Sequence, residues 1–135
     1  MTLDKLTKMC QGTLMDLLQI EFLLDSSGNL MASMPITDYH KQPMGYLHGG
    51  ATIALAESLG SAASLYKLKG KAGVMATQLQ TSHLLPASQG MVIATASLIV
   101  EQSKLHIWDI EVRDDQGQLL SITRLSNRII QNSNE

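Results

Sequence analysis

From Leu3 to Leu18, the residues Leu3, Leu6, Met9, Cys10, Leu14, Leu17 and Leu18 recur at mostly helical spacing, with Gly12 placed as a break. The pattern predicts an N-terminal cap of short helices over residues 1–18. Ile20, Phe22 and Leu24 then alternate with polar positions up to Asp25-Ser26-Ser27-Gly28-Asn29, and Leu30, Ala32, Met34 and Ile36 alternate again, which predicts a β-hairpin. Thr37 to Leu47 contains Pro43 and Gly45 without periodicity and reads as a loop.

Residues 50–68 are rich in Ala, Leu and Ser and contain no Pro, so they predict one long helix. Ala51, Ala54, Ala56, Gly60, Ala62 and Ala63 would let a sheet approach that helix closely. Four strands are expected beyond it, over Gly73 to Leu85, Met91 to Val100, Leu105 to Arg113 and Leu119 to Ile130, in a meander joined by turns. In the strand from Leu105, Trp108, Ile110 and Val112 share a face opposite Asp109 and Glu111, so one side of the sheet is buried and the other wet. Two strands, a long helix and consecutive hairpins give an α+β fold with an antiparallel sheet wrapped around a central helix.

Composition narrows the picture. A chain of 135 residues with 44% hydrophobic and 16% charged positions suits a single globular domain spanning 1–135. A net charge of −2, with Lys and Arg spread along the chain, lacks the basic footprint that nucleic acid demands. The longest apolar stretch, Met91 to Val100, is interrupted by Thr95 and Ser97 and is too short to cross a bilayer, so no membrane partner is expected. With Cys10 as the only cysteine, eight methionines, and no secretory pattern after Met1, a cytoplasmic protein is expected.

Candidate chemistry gathers around the start of the long helix. His48-Gly49-Gly50 removes side chains where a loop enters the helix, leaving backbone N–H groups at its positive end free to meet a ligand oxygen. Glu57 interrupts a small, apolar run, and Ser61 stands four residues on, along the same face. Each feature alone has a bland reading: a Gly-Gly pair is usually a plain turn, and a lone Glu can face solvent or pair with Lys67 or Lys69. Cys10 fits the apolar pattern and reads as a core thiol. His40, His48, His83 and His106 have no ligand spacing, so no metal site is expected, and His106 reads as a strand-surface residue. Met31, Met34, Met44, Met75 and Met91 read as core filler before acyl-pocket lining.

Taken together, Gly45-x-Leu47-His48-Gly49-Gly50 and Leu55-Ala56-Glu57-Ser58-x-Gly60-Ser61 resemble the hotdog-fold acyl-CoA thioesterases of the aryl-CoA branch. Met34-Pro35, His40-x-Gln42-Pro43, Ser82-His83, Gly90, Trp108-x-Ile110 and Asp115-x-Gly117 extend the likeness over most of the chain. The resemblance implies hydrolysis of an aromatic or medium-chain acyl-CoA to free acid and CoA. CoA is then part of the substrate and no cofactor is needed. It makes Glu57 the catalytic carboxylate, as nucleophile or as general base, and the Gly49 N–H the polariser of the thioester carbonyl. Gln42 and His48 would position that carbonyl, and Ser61 would hold the attacking water. It also implies a homo-oligomer, a tetramer built as a dimer of dimers, with Glu57 from one subunit and Gln42, His48 and Gly49 from the other.

CoA is then expected along Ala76, the His83-Leu84-Leu85-Pro86 turn, and the segment holding Ser103 and Lys104. The sequence departs from the resemblance at Leu85, where relatives carry Arg, and at Gln102-Ser103, where they carry Gly-Arg. Lys104, Arg124 and Arg128 remain as phosphate-binding candidates. Two alternatives stay open: hydratase or dehydratase action on an acyl thioester, and a non-catalytic acyl-CoA binding module.

Overall fold

The computed structural model describes residues 1–131, so the last four residues of the expected 1–135 unit lie outside the described residues. Helices α1 (Leu3–Cys10) and α2 (Leu14–Leu17) form the N-terminal cap. Thr2 caps α1 by accepting from the Lys5 N–H at 3.2 Å, and Leu6 and Cys10 form its buried side. Gly12, at φ +72°, breaks the helix as its position suggested. The Cys10 thiol is buried and donates to the Leu6 carbonyl.

Strands β1 (Glu21–Leu24) and β2 (Leu30–Pro35) make the expected hairpin. The long helix, α3, spans Gly49–Lys67, with His48 as its N-cap. Its boundary lies one residue earlier than expected at each end. The chain continues through β3 (Ala72–His83), β4 (Met91–Gln102), β5 (Leu105–Asp114) and β6 (Leu119–Gln131).

These strands form one antiparallel sheet in the order β1-β2-β4-β5-β6-β3. The meander therefore holds for β4, β5 and β6 but not for β3, which pairs with β6 at the far edge and leaves its other edge without a strand among the described residues. The reason is the helix: α3 carries the chain from β2 across the sheet's inner face, and β3 starts at the opposite edge.

Leu55, Ala56, Leu59 and Gly60 of α3 are buried against inward residues such as Ile110, Val112 and Leu125. Each fully buried Leu contributes about 2 kcal/mol. Gly60 marks the closest approach, since a Cβ there would stand 2.3 Å from Leu125 Cδ2. The alternation read in β5 is present, with one correction. His106 shares the inward face with Trp108 and is only 2% exposed, so it is a core residue and not a surface one. Of the five methionines only Met34 is fully buried, while Met44, Met75 and Met91 are exposed, because Met44 sits in the loop before α3 and the other two at exposed strand positions.

Candidate active site

The loop from Thr37 to His48 brings Gln42 and the start of α3 together. The Gln42 N–H donates to the Tyr46 carbonyl at 2.8 Å, the Gly45 N–H donates back to the Gln42 carbonyl at 2.9 Å, and Gly45 supplies the φ of +88° that closes the turn. The Gln42 side-chain oxygen accepts from the Met44 N–H, so its amide NH2 is the end left for a ligand. The loop is tied down by His40, whose carbonyl accepts from the His48 N–H at 2.8 Å. His40 Nε2 donates to the Leu18 carbonyl at 2.7 Å, linking this loop to the helical cap.

His48 Nδ1 accepts from the Gly50 N–H at 2.8 Å, which places the ring proton on Nε2. With Gly50 capped, the Gly49 N–H points out of the first helical turn with no partner among the described residues. A donor in that position suits a developing oxyanion. His83 stands directly over it: a Cβ on Gly49 would lie 2.9 Å from His83 Nε2. Gln42, Gly49, His83, Leu84, Leu85 and Pro86 thus line one cavity of about 370 Å³. Buried Thr52, one turn into α3, joins them, a residue that no motif in the sequence singles out.

Glu57 is elsewhere. It lies eight residues along α3 from Gly49, about 12 Å up the axis and about 80° around it. It lines a second cavity, of about 640 Å³, roofed by α1 and α2. Ser58 and Ser61 share its helix face, Leu6, Met9, Phe22 and Leu65 supply apolar wall, and Gly73 and Val74 of β3 form one side. The Glu57 carboxylate has no hydrogen bond or ion pair among the described residues, and Lys67 pairs with Glu101 at 3.3 Å instead. Within one chain, therefore, Glu57 and Ser61 line one cavity and Gln42 and Gly49 line another.

The expected CoA contacts also divide. Ala76 is half-buried in β3 opposite Asn127, and Ser103 and Lys104 form the exposed β4–β5 turn, at the end of the sheet away from His83. None of the three borders either cavity. Arg124 is committed elsewhere, to Asp109, in a two-pronged pair of 2.7 Å and 2.8 Å that holds the Asp109 carboxyl below the usual carboxylate range. Among the described residues no group of three or more His, Cys, Asp or Glu side chains is placed to hold a metal. Among the described residues no helix is long and apolar enough to cross a membrane.

The family model described as Thioesterase superfamily matches residues 44–121, which contain the glycine turn, α3 and Glu57. The chain belongs to the thioesterase superfamily. The 1,4-dihydroxy-2-naphthoyl-CoA hydrolase of Escherichia coli is 34% identical over 129 residues, 96% of this chain and 95% of that one. The proofreading thioesterase EntH of Cronobacter turicensis is 35% identical, over 96% of this chain and 95% of its own. Among solved structures, a thioesterase of Haemophilus influenzae superposes with a TM-score of 0.93 at 30% identity, covering 100% of this chain and 94% of that one. A mutant thioesterase from Pseudomonas aeruginosa gives 0.90 at 34% identity, covering 96% and 94%. The wrapped helix and edge-placed β3 are thus the hotdog arrangement shared with these thioesterases.

Proposed function

We propose that the protein is an acyl-CoA thioesterase whose active sites form between two copies of the chain. One observation carries this reading: the two candidate half-sites lie at opposite ends of β3, whose outer edge is unpaired. Gly49 and Gln42 sit with His83 at one end, while Glu57 and Ser61 sit with Gly73 and Val74 at the other. Two copies joined edge to edge by antiparallel β3 strands bring the His83 end of each against the Gly73 end of its partner. Such pairing also satisfies a row of exposed backbone groups. Each site then has Glu57 from one subunit and Gln42, His48 and Gly49 from the other. Two such dimers would make the tetramer.

In that site the thioester carbonyl accepts from the Gly49 N–H and the Gln42 amide, fixed donors that contribute a few kcal/mol each to a developing oxyanion. Glu57 acts on the carbonyl carbon, directly or through water, and the CoA thiolate leaves. The apolar cavity under α1 and α2 takes an aromatic or medium-chain acyl group. The CoA moiety runs past the His83 to Pro86 turn towards the partner's end of the sheet, where Lys104 is exposed and has no ion pair among the described residues. No cofactor is required, because water, a carboxylate and polarising N–H groups suffice.

The test is thiol release from a panel of aromatic and short- to long-chain acyl-CoA and acyl-carrier thioesters, with wild type beside Glu57→Ala. Turnover by wild type and its loss in Glu57→Ala, at unchanged thermal stability, is expected. Folded wild-type protein that releases no thiol from any thioester would defeat the reading.

A further inference from the structure

Behind the Glu57 face of α3, four side chains from three elements form a closed polar cluster inside the core. Asn127 of β6, Ser64 of α3, and His106 and Trp108 of β5 are all buried. Trp108 Nε1 donates to Ser64 Oγ at 2.8 Å, Asn127 Nδ2 donates to the same oxygen at 3.0 Å, and His106 Nδ1 lies 3.1 Å from it. An indole N–H and an amide NH2 can only donate, so both acceptor positions of Ser64 Oγ are filled. Its one hydrogen must go to His106 Nδ1, which leaves His106 neutral with its proton on Nε2.

The same arithmetic fixes Asn127. Its Nδ2 also donates to the Gly60 carbonyl at 3.0 Å, a group that can only accept, so the amide cannot be flipped. Oδ1 therefore faces Ser61, whose hydroxyl donates to it at 3.5 Å. Ser61 lies at the boundary between this cluster and the Glu57 cavity, which it also lines. The contact is at the long end for a hydrogen bond, and a Ser61 hydroxyl that donates through it turns only lone pairs to the cavity.

We propose that Asn127 is a positioning residue: it holds Ser61 as a hydrogen-bond acceptor beside Glu57, so that the pair takes both hydrogens of one water molecule and leaves that water's oxygen lone pair for the thioester carbonyl. The inference rests on the thioesterase reading above. Two acceptors one helical turn apart orient a water in a way that a donating Ser61 would not. In the step so arranged, the water oxygen bonds to the carbonyl carbon while Glu57 takes its proton. The oxyanion then reforms the carbonyl, the C–S bond breaks, and the thiolate receives the proton held by Glu57, giving acid and thiol. Asn127 itself touches neither water nor substrate. It acts through Ser61, and the Ser64, Trp108 and His106 contacts keep its amide from rotating.

The experiment is a double-mutant cycle on the full chain, with thiol release measured on the best thioester of the panel for wild type, Asn127→Ala, Ser61→Ala, the double variant, and Glu57→Ala. A thermal unfolding midpoint is taken for each. Each single change is expected to lower kcat about tenfold with KM within about twofold, and the double variant to fall no further than the worse single. Ser61→Thr, which keeps a hydroxyl, is expected to restore most of the turnover in the presence of Asn127 and none in Asn127→Ala. If Asn127→Ala does not fold, Asn127→Ser takes its place with the same expectation. Losses that multiply in the double variant, a change confined to KM, or unchanged kcat in the Asn127 variant would overturn the proposal while leaving the Glu57 reading intact. A wild type without turnover would remove both.

Discussion

The His83 imidazole covers Gly49, so close that a Cβ added to the glycine would stand 2.9 Å from Nε2. Gly49 has an ordinary helical backbone, and alanine is intrinsically the better helix former there by up to about 1 kcal/mol. The glycine is therefore explained by the space beneath His83 and by access to its N–H, not by conformation.

Gly49→Ala should consequently separate activity from stability. The new methyl group displaces His83 and crowds the N–H that faces the cavity. The expected result is a fall in kcat of at least about tenfold, short of the roughly 100- to 1,000-fold that follows outright loss of an oxyanion donor. The unfolding midpoint should stay within a few degrees of wild type. A loss of turnover matched by an equal loss of folding would show that the glycine serves packing alone.

Gly60 behaves in the opposite way. Its missing Cβ would meet Leu125 Cδ2 at 2.3 Å and Ile110 Cδ1 at 2.9 Å, so these two fully buried side chains must shift to admit it. Overpacking of this kind costs about 1–3 kcal/mol, against a helix-propensity gain near 1 kcal/mol. Gly60→Ala should therefore destabilise the fold by up to about 2 kcal/mol, read as a lower urea midpoint at unchanged slope.

The buried His106 gives stability a pH dependence. Desolvation pushes its pKa below the ordinary 6.5, with Glu101 opposing and Lys67 reinforcing the shift. Above 6.5 the ring is neutral in both folded and unfolded chains, so its contribution is complete. As pH falls through that value the unfolded chain gains a proton that the folded one refuses, and stability is lost towards the depressed folded pKa. Urea midpoints measured from about pH 7.5 to about pH 5.5 should fall, and His106→Gln should flatten part of that slope. Equal slopes in both proteins would assign the acid sensitivity to other groups.

What could be read from the chain follows from how local each signal is. The alternation of Trp108, Ile110 and Val112 and the small residues of α3 report contacts with a sheet face, so the strands and the wrapped helix were visible in order along the sequence. The partner of β3 was not, because a hairpin pattern says nothing about which edge a strand joins after a helix crosses the sheet. His106 was misjudged for a different reason. Its polarity outweighed its place on the inward row with Trp108, and only Ser64, forty-two positions earlier, makes that burial tolerable. Asn127 could have been found by the same rule, since Leu125, Asn127 and Ile129 alternate on the buried face of β6.

The separation of Glu57 from Gln42 on one chain leads to a mixing experiment. Neither Glu57→Ala nor Gln42→Ala should be active alone, because every site in either homodimer lacks one essential group. If subunits are exchanged by mild denaturation and refolding, equal mixing makes about half of the dimers heterodimers. One site of each heterodimer then combines the intact Glu57 of one subunit with the intact Gln42 of the other, while its second site lacks both. Activity should recover to about one quarter of that of wild type treated in the same way. Under the same exchange, Glu57→Ala mixed with the double variant Glu57→Ala, Gln42→Ala should recover nothing, which guards against gains from refolding itself. Sites built within single chains predict no recovery from any mixture, so a mixture of the two single variants that stays inactive, with heterodimers demonstrated, would refute the shared site.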